Sequence, residues 1–380
     1  MTKYIALFLS VLFFAMPVYA DDEELSLIDL FGEEKSKQET EVKNDLPKPE
    51  ENETVEEKDE DGGIFSFLNF SFLRKEKAKK LSRQVDEPQE SYEERLVRTA
   101  EEGDTDAALT LGYVYLYGEN GWPQDDEKAF HYYSLAAAKD DKVALNNLGS
   151  LYYSGIGTKK DVKEAVKLFE KAAELGNNEA AVNLAFVYLT SYKNIDANVR
   201  SAVVRLFNQA AEGGNITAQY MMGMIYYNGF GIAKNNDRAF KYLKQAATQY
   251  DEAQYQLAQL YMNAQGTPRN YGAAVANLAK AARQGHTRAM VWLGDILSSG
   301  ANYPKNEYEA YIWYNIASVY NTPTAAKKRD KAESRLKIED LLQAQAMAGK
   351  FKAKPTAITE YVHQTFGDNL GDYVIMPATK

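Results

Sequence analysis

"KAAELGNNEA", residues 171–180, reads as the end of one helix and the start of the next, and the chain nearly repeats it. "TAEEGDTDA" ends at Ala107, "LAAAKDDKVA" at Ala144, "QAAEGGNITA" at Ala218, "QAATQYDEA" at Ala253 and "KAARQGHTRA" at Ala289. With Ala180 these alanines are 37, 36, 38, 35 and 36 residues apart. A fixed period of that length marks a stack of helix pairs rather than a single globular core. The expected fold class is therefore all-α, an α-solenoid of antiparallel helix pairs.

One unit shows the parts: "ALNNLGSLYYSGIGTKKDVKEAVKLFEKAAELG", residues 144–176. Ala144, Leu148, Leu151 and Tyr152 share one face at helical spacing, and Ala165, Leu168, Phe169 and Ala172 share one on the next helix. Gly149 lies inside the first helix, where glycine costs about 1 kcal/mol against alanine. Its recurrence as Gly112, Gly223 and Gly294, with Ala185 and Ala258 at the other two positions, argues that neighbouring backbones approach there. "SGIGT" (154–158) and "NGFGI" (228–232) supply glycines for a tight hairpin turn, and Gly176 follows the second helix as a C-terminal stop. "TSYKNID" (190–196) and "NAQGTP" (263–268) are degenerate, so the third and fifth hairpins are expected to turn less sharply.

The array needs a closing element, because the last repeat exposes one face. "AAKKRDKAESRLKIEDLLQAQAMAGK" (325–350) reads as two such helices with a polar outer face, after an unusually aromatic final repeat helix at 309–320. Residues 351–380 have no clear period. The expected division is 1–20, 21–90, six units with a leading half unit over 91–320, closing helices over 321–350, and a tail.

The unit A-xxx-LG-xx-Y-xx-G-x-G, then D-xx-KA, an aromatic pair and KAA-xx-G, resembles the Sel-one-like repeat (SLR), a relative of the tetratricopeptide repeat. Leu111, Gly112 and Tyr115, Leu148, Gly149 and Tyr152, Met222, Gly223 and Tyr226, and Leu293 with Gly294 carry the first-helix match. Ala129 with Tyr132 and Tyr133, Ala165 with Phe169, Ala239 with Tyr242, and Ala310 with Trp313 and Tyr314 carry the second. The resemblance covers about residues 91–350. It implies a right-handed superhelix that scaffolds protein complexes, often in a bacterial envelope or in contact with host cells. The chain has no cysteine, which departs from the cysteine-rich and lipid-anchored members.

The opening "MTKYIALFLSVLFFAMPVYA" pairs one lysine and a long apolar run with a small-residue "VYA", the pattern of a secretory signal cleaved after Ala20; the alternative is an uncleaved anchor. Export would place the chain in the periplasm, or else at the surface or outside the cell. Residues 21–61 carry a balance of −13, so the remainder of this −10 chain sums to +3. That near-neutral body gives no support to a nucleic-acid reading, which needs a clustered basic footprint. The acidic segment, poor in aromatics, is expected to be disordered. Within it, Phe65, Phe67, Phe70 and Phe72 precede Lys75 and Lys77, a set that suits an anionic membrane surface, a partner groove, or a fold-back onto the first repeat.

Catalytic patterns are missing from the sequence. The three histidines show no metal-ligand spacing, and no Walker or dinucleotide glycine pattern occurs, so neither enzyme nor cofactor is expected. A solenoid instead offers the face lined by its first helices. Positions three and six after each periodic alanine include Asn147, Ser150, Asn183, Phe186, Met221, Met224, Gln256, Gln259, Trp292 and Asp295, joined by Tyr227. Amides on such helices have little packing reason, so Asn147, Asn183, Gln256 and Gln259 are candidates to hold a protein or peptide partner. The expected protein is thus a monomeric, non-enzymatic envelope scaffold; a host-interaction factor is the alternative, and a peptidoglycan-related regulator or enzyme the third reading.

Overall fold

The structure, a computed structural model, describes residues 91–118, 121–191, 195–320, 322–367 and 370–374. The leader, the acidic segment and the six Phe and Lys candidates at 65–77 lie outside the described residues. The chain divides into two units, residues 33–95 and the remainder. Of the first, the described part opens α1 (Tyr92–Glu101) with a reciprocal capping box: Ser91 N–H donates to Glu94 Oε2 at 2.9 Å, and Glu94 N–H to Ser91 Oγ at 3.1 Å.

The second unit is all-helical among its described residues. Six pairs follow one another: α2 (Thr105–Tyr117) with α3 (Asp126–Ala137), α4 (Lys142–Ser154) with α5 (Val162–Glu174), and α6 (Asn178–Ser191) with α7 (Ala197–Glu212). Then come α8 (Ile216–Asn228) with α9 (Asn236–Ala246), α10 (Asp251–Asn263) with α11 (Tyr271–Gln284), and α12 (Thr287–Ser299) with α13 (Glu307–Val319). The principal packing joins each helix to the next in sequence, as an α-solenoid requires.

The period has a local cause. Every periodic alanine is the third residue of its helix, and its N–H is one of the donors a helix start leaves unpaired. The residue three places earlier supplies the acceptor: Asp104, Asp141, Asn177, Asn215 and, in the sixth unit, the His286 ring, at 2.8–3.0 Å. In the fifth unit that place is held by Tyr250, which makes no such bond.

The recurrent glycine is explained by a side chain, not by the backbone approach that the sequence suggested. A Cβ on Gly149 would stand 2.9 Å from the Phe169 ring, and one on Gly294 would stand 2.6 Å from that of Tyr314. In the four units that carry this glycine, the second helix lays a ring or, at Leu243 against Gly223, a leucine over the first. The fifth hairpin also turns as sharply as the second: Ala264 adopts φ 54° in the left-handed region and Gly266 follows at 69°.

After the repeats, α14 (Pro323–Glu333) and α15 (Ile338–Lys350) pack on α13 and close the array. Their outer surface is less polar than expected, since Ile338 and Leu342 of α15 are 66% and 59% exposed. The tail then turns back along the array. Lys354 N–H donates to the Arg283 carbonyl at 2.8 Å, and α16 (Ala357–Phe366) and a 3-10 turn (Leu370–Val374) pack against α8.

Candidate functional site: the first-helix face and the tail upon it

The tail meets the start of the fifth repeat, where the usual cap is absent, at a different donor of the same turn. Asp251 N–H, at the start of α10, donates to Thr359 Oγ1 at 3.2 Å, across 108 residues of chain. Thr359 Oγ1 in turn donates to Gln284 Oε1 at 2.6 Å, and Thr356 N–H reaches the same oxygen at 3.0 Å. The Gln284 amide nitrogen donates to Gln254 Oε1 at 3.1 Å, and Gln254 Nε2 to the Ala247 carbonyl at 2.9 Å. This buried relay holds one acceptor in place for the tail hydroxyl, and buried polar groups of this kind are costly unless each is paired.

Beside the relay lies a charged cluster. Glu252, 3% exposed, accepts from His286 Nε2 at 2.7 Å, Arg288 Nη2 at 2.6 Å and Gln256 Nε2 at 2.9 Å. Because His286 Nδ1 accepts the Ala289 N–H, its proton sits on Nε2 and points at the carboxylate. Tyr255 stacks on the His286 ring at 4.8 Å, lies under Arg288 at 5.0 Å and meets Trp292 edge-on at 5.6 Å. Asp251, 1% exposed, meets His363 Nε2 of the tail at 3.1 Å. A cavity of about 260 Å³ opens here, lined by Asp251, Gln284, Thr359 and His363 among others. The Glu252 carboxylate is held by three donors in a packing role, and no group of three potential metal ligands occurs among the described residues.

Further along, the tail is apolar. Val362, Leu370 and Val374 are fully buried, and Tyr373 meets Phe186 of α6 edge-on at 5.9 Å. A Cβ on Gly371 would come within 2.7 Å of Tyr220 Oη and 3.1 Å of Met224, so a larger residue in this register would have to displace one of those side-chain ends. Burial raises the Tyr220 and Tyr361 hydroxyls above the usual phenol range, the nearby acids adding to the effect.

The sequence-nominated residues fall into three groups. Phe186 and Met224 lie against the tail, and Met221 is buried beside them on α8. Most of the polar candidates have structural partners, which corrects the premise that they lacked a packing reason. Asn183 Nδ2 donates to Asn146 Oδ1 of the preceding repeat at 2.9 Å, Asn147 engages the buried Tyr133 hydroxyl, and Ser150 Oγ bonds the Asn146 carbonyl at 3.1 Å. Gln256 bonds Glu252, Trp292 packs with Tyr255, and Asp295 pairs with Lys328 at 2.6 Å and Tyr314 at 2.7 Å. Tyr227 and Gln259 stay half-buried. Sequence reasoning missed Asp251, Glu252, Gln284 and Thr359. The one available signal was the aromatic Tyr250 where every other unit carries an Asp, Asn or His.

A stack of helix pairs with a peptide-like segment on its first-helix face defines the class: a helical-repeat solenoid of the interaction type. Six matches to the Sel1 repeat, at residues 105–141, 142–177, 178–215, 216–251, 251–286 and 287–318, place the chain in the Sel1 repeat family. Sel1 repeat proteins generally mediate protein–protein interactions. The chain is 28% identical over 221 residues to chitin synthase regulatory factor 3 of Schizosaccharomyces pombe, covering 56% of this chain and 24% of that one. It is 32% identical over 93 residues to DAP3-binding cell death enhancer 1 of Rattus norvegicus, 24% of this chain and 18% of that one. It thus spans under a quarter of each of these relatives. The solved Sel1 repeat protein from Oxalobacter formigenes superposes with a TM-score of 0.51 at 29% identity, over 57% of this chain and 89% of that one.

Proposed function

We propose that this chain is an exported, monomeric, non-enzymatic scaffold of a bacterial envelope that binds a protein partner on its first-helix face. The observation that carries the reading is a row of half-buried tyrosines in the second halves of the first helices, Tyr113, Tyr153 and Tyr227, with Tyr117 packed beside Tyr113 and its hydroxyl buried. Tyr113 and Tyr117 lie ring to ring at 4.8 Å, and Lys160 sits 5.0 Å above the Tyr153 ring. Tyrosine provides a large contact area with a polar tip at little entropic cost, and recurs at interface anchors. The naming of one relative as a regulatory factor agrees with an adaptor role. The leader-like residues 1–20 motivate the periplasmic assignment.

The test is affinity capture of the chain from intact, crosslinked cells, with wild type and a Tyr153→Ala/Tyr227→Ala variant compared. The reading predicts that one or a few envelope proteins are captured, and that the double variant loses them while its melting temperature stays within a few degrees. Capture that survives the change removes the tyrosine row from the interface. Recovery of the chain in the culture medium, with no envelope protein attached, contradicts the periplasmic assignment.

A further inference from the structure

We propose that the α8–α10 stretch of the first-helix face is itself a peptide site, and that residues 356–367 and 370–374 occupy it as a built-in copy of an external ligand. The inference rests on the interaction reading above and names the chemistry of the partner. That partner is a protein segment with a Ser or Thr that caps α10, a short helix, and an aliphatic–glycine–x–aromatic–aliphatic end.

Three observations carry it. First, α10 is the one repeat first helix among those described in which the residue before the helix makes no cap bond to the periodic alanine. Tyr250 stands there, Asp251 Oδ1 takes the Glu252 N–H at 2.7 Å, and a different donor of the same turn, the Asp251 N–H, goes to Thr359 of the tail. A repeat that closed on itself would need no distant hydroxyl, whereas this one presents an open helix start beside a pre-aimed amide relay. Second, the receiving surface reads its occupant by register: Gln284 Oε1 takes a hydroxyl, and the Tyr220 hydroxyl and Met224 leave no free room for a Cβ at the Gly371 place. Alternation of hydroxyl, small and aliphatic demands is how a groove selects a peptide. Third, the tail satisfies the site incompletely. Asp251 Oδ2 and Thr217 Oγ1 are buried without a hydrogen-bond partner among the described residues. Asp251 lines the seam, and Thr217 lies one turn before Tyr220 on α8. Each such atom weakens the docked state. An external segment with a donor at the His363 register, an Arg or Lys, would engage Asp251 better than the tail does.

A tethered tail competes at an effective concentration on the order of millimolar, so the intact chain should bind a free copy only weakly. The experiment uses the full chain and a fluorescein-labelled synthetic peptide of residues 351–380, read by anisotropy. Wild type is compared with a Thr359→Val/Leu370→Asp chain whose own tail is weakened. The expected result is peptide binding to the variant at least about tenfold tighter than to wild type. The same peptide carrying both substitutions should not bind. Helical circular dichroism and thermal unfolding accompany each titration. A variant that stays folded yet binds the peptide no better than wild type overturns the proposal, because the tail is then a fixed part of the fold. A variant that loses its helical signal overturns it as well, because the face cannot stand without its tail. If peptide binding fails while partner capture through the tyrosine row succeeds, the scaffold reading survives and this site is discarded.

Discussion

At the residue scale, the same feature can stabilise or destabilise according to what faces it. Gly149→Ala removes a helix-interior penalty of about 1 kcal/mol, but its Cβ meets the Phe169 ring at 2.9 Å. Overpacking of this kind costs about 1–3 kcal/mol, so a net loss of stability is predicted. Gly349, inside α15, faces open space, and Gly349→Ala should instead raise stability by roughly 0.5–1 kcal/mol. Chemical denaturation of the two variants checks the opposite signs. His286 joins two duties, cap of α12 and donor to Glu252. His286→Asn should keep the first and lose the second, and His286→Ala should lose both, with a further destabilisation of about 1 kcal/mol between them by thermal melts.

At the element scale, the repeats were legible because their signals are local. The alanine at the third helical position, the cap three residues before it and the glycine under a ring all recur within one period. The tail was not legible, because α16 is a ten-residue helix whose partners lie more than 70 residues away. Thr356 ahead of "AITE" is a helix start in retrospect, since its hydroxyl accepts the Thr359 N–H at 3.2 Å. The nominated amides misled for a related reason: Asn183 bonds Asn146 in the preceding repeat, a pairing that no single period displays. Asn183→Ala should therefore cost about 1–2 kcal/mol of stability, leaving Asn146 Oδ1 without that donor. A partner-binding loss at unchanged stability would restore the binding role instead.

At the scale of the whole molecule, the two proposed partner-facing regions of the array differ in character, one a half-buried tyrosine row and the other a central stretch already covered by its own chain. The array and its cover share a pH signature. Tyr133, Tyr220 and Tyr361 are all held above the usual phenol value by burial. The unfolded chain gives up these protons near pH 10 while the folded chain keeps them, so it binds fewer protons there. Stability from these groups is complete below that pH and should fall steadily above it, as alkaline melts with absorbance at the tyrosinate band would show.

Hydrogen exchange followed by mass spectrometry on the full chain, wild type against Thr359→Val, asks most directly whether the tail completes α10. The account predicts faster exchange in the first turn of α10 and along residues 356–374, with α2 to α5 unchanged. Equal protection of α10 in both chains would contradict it.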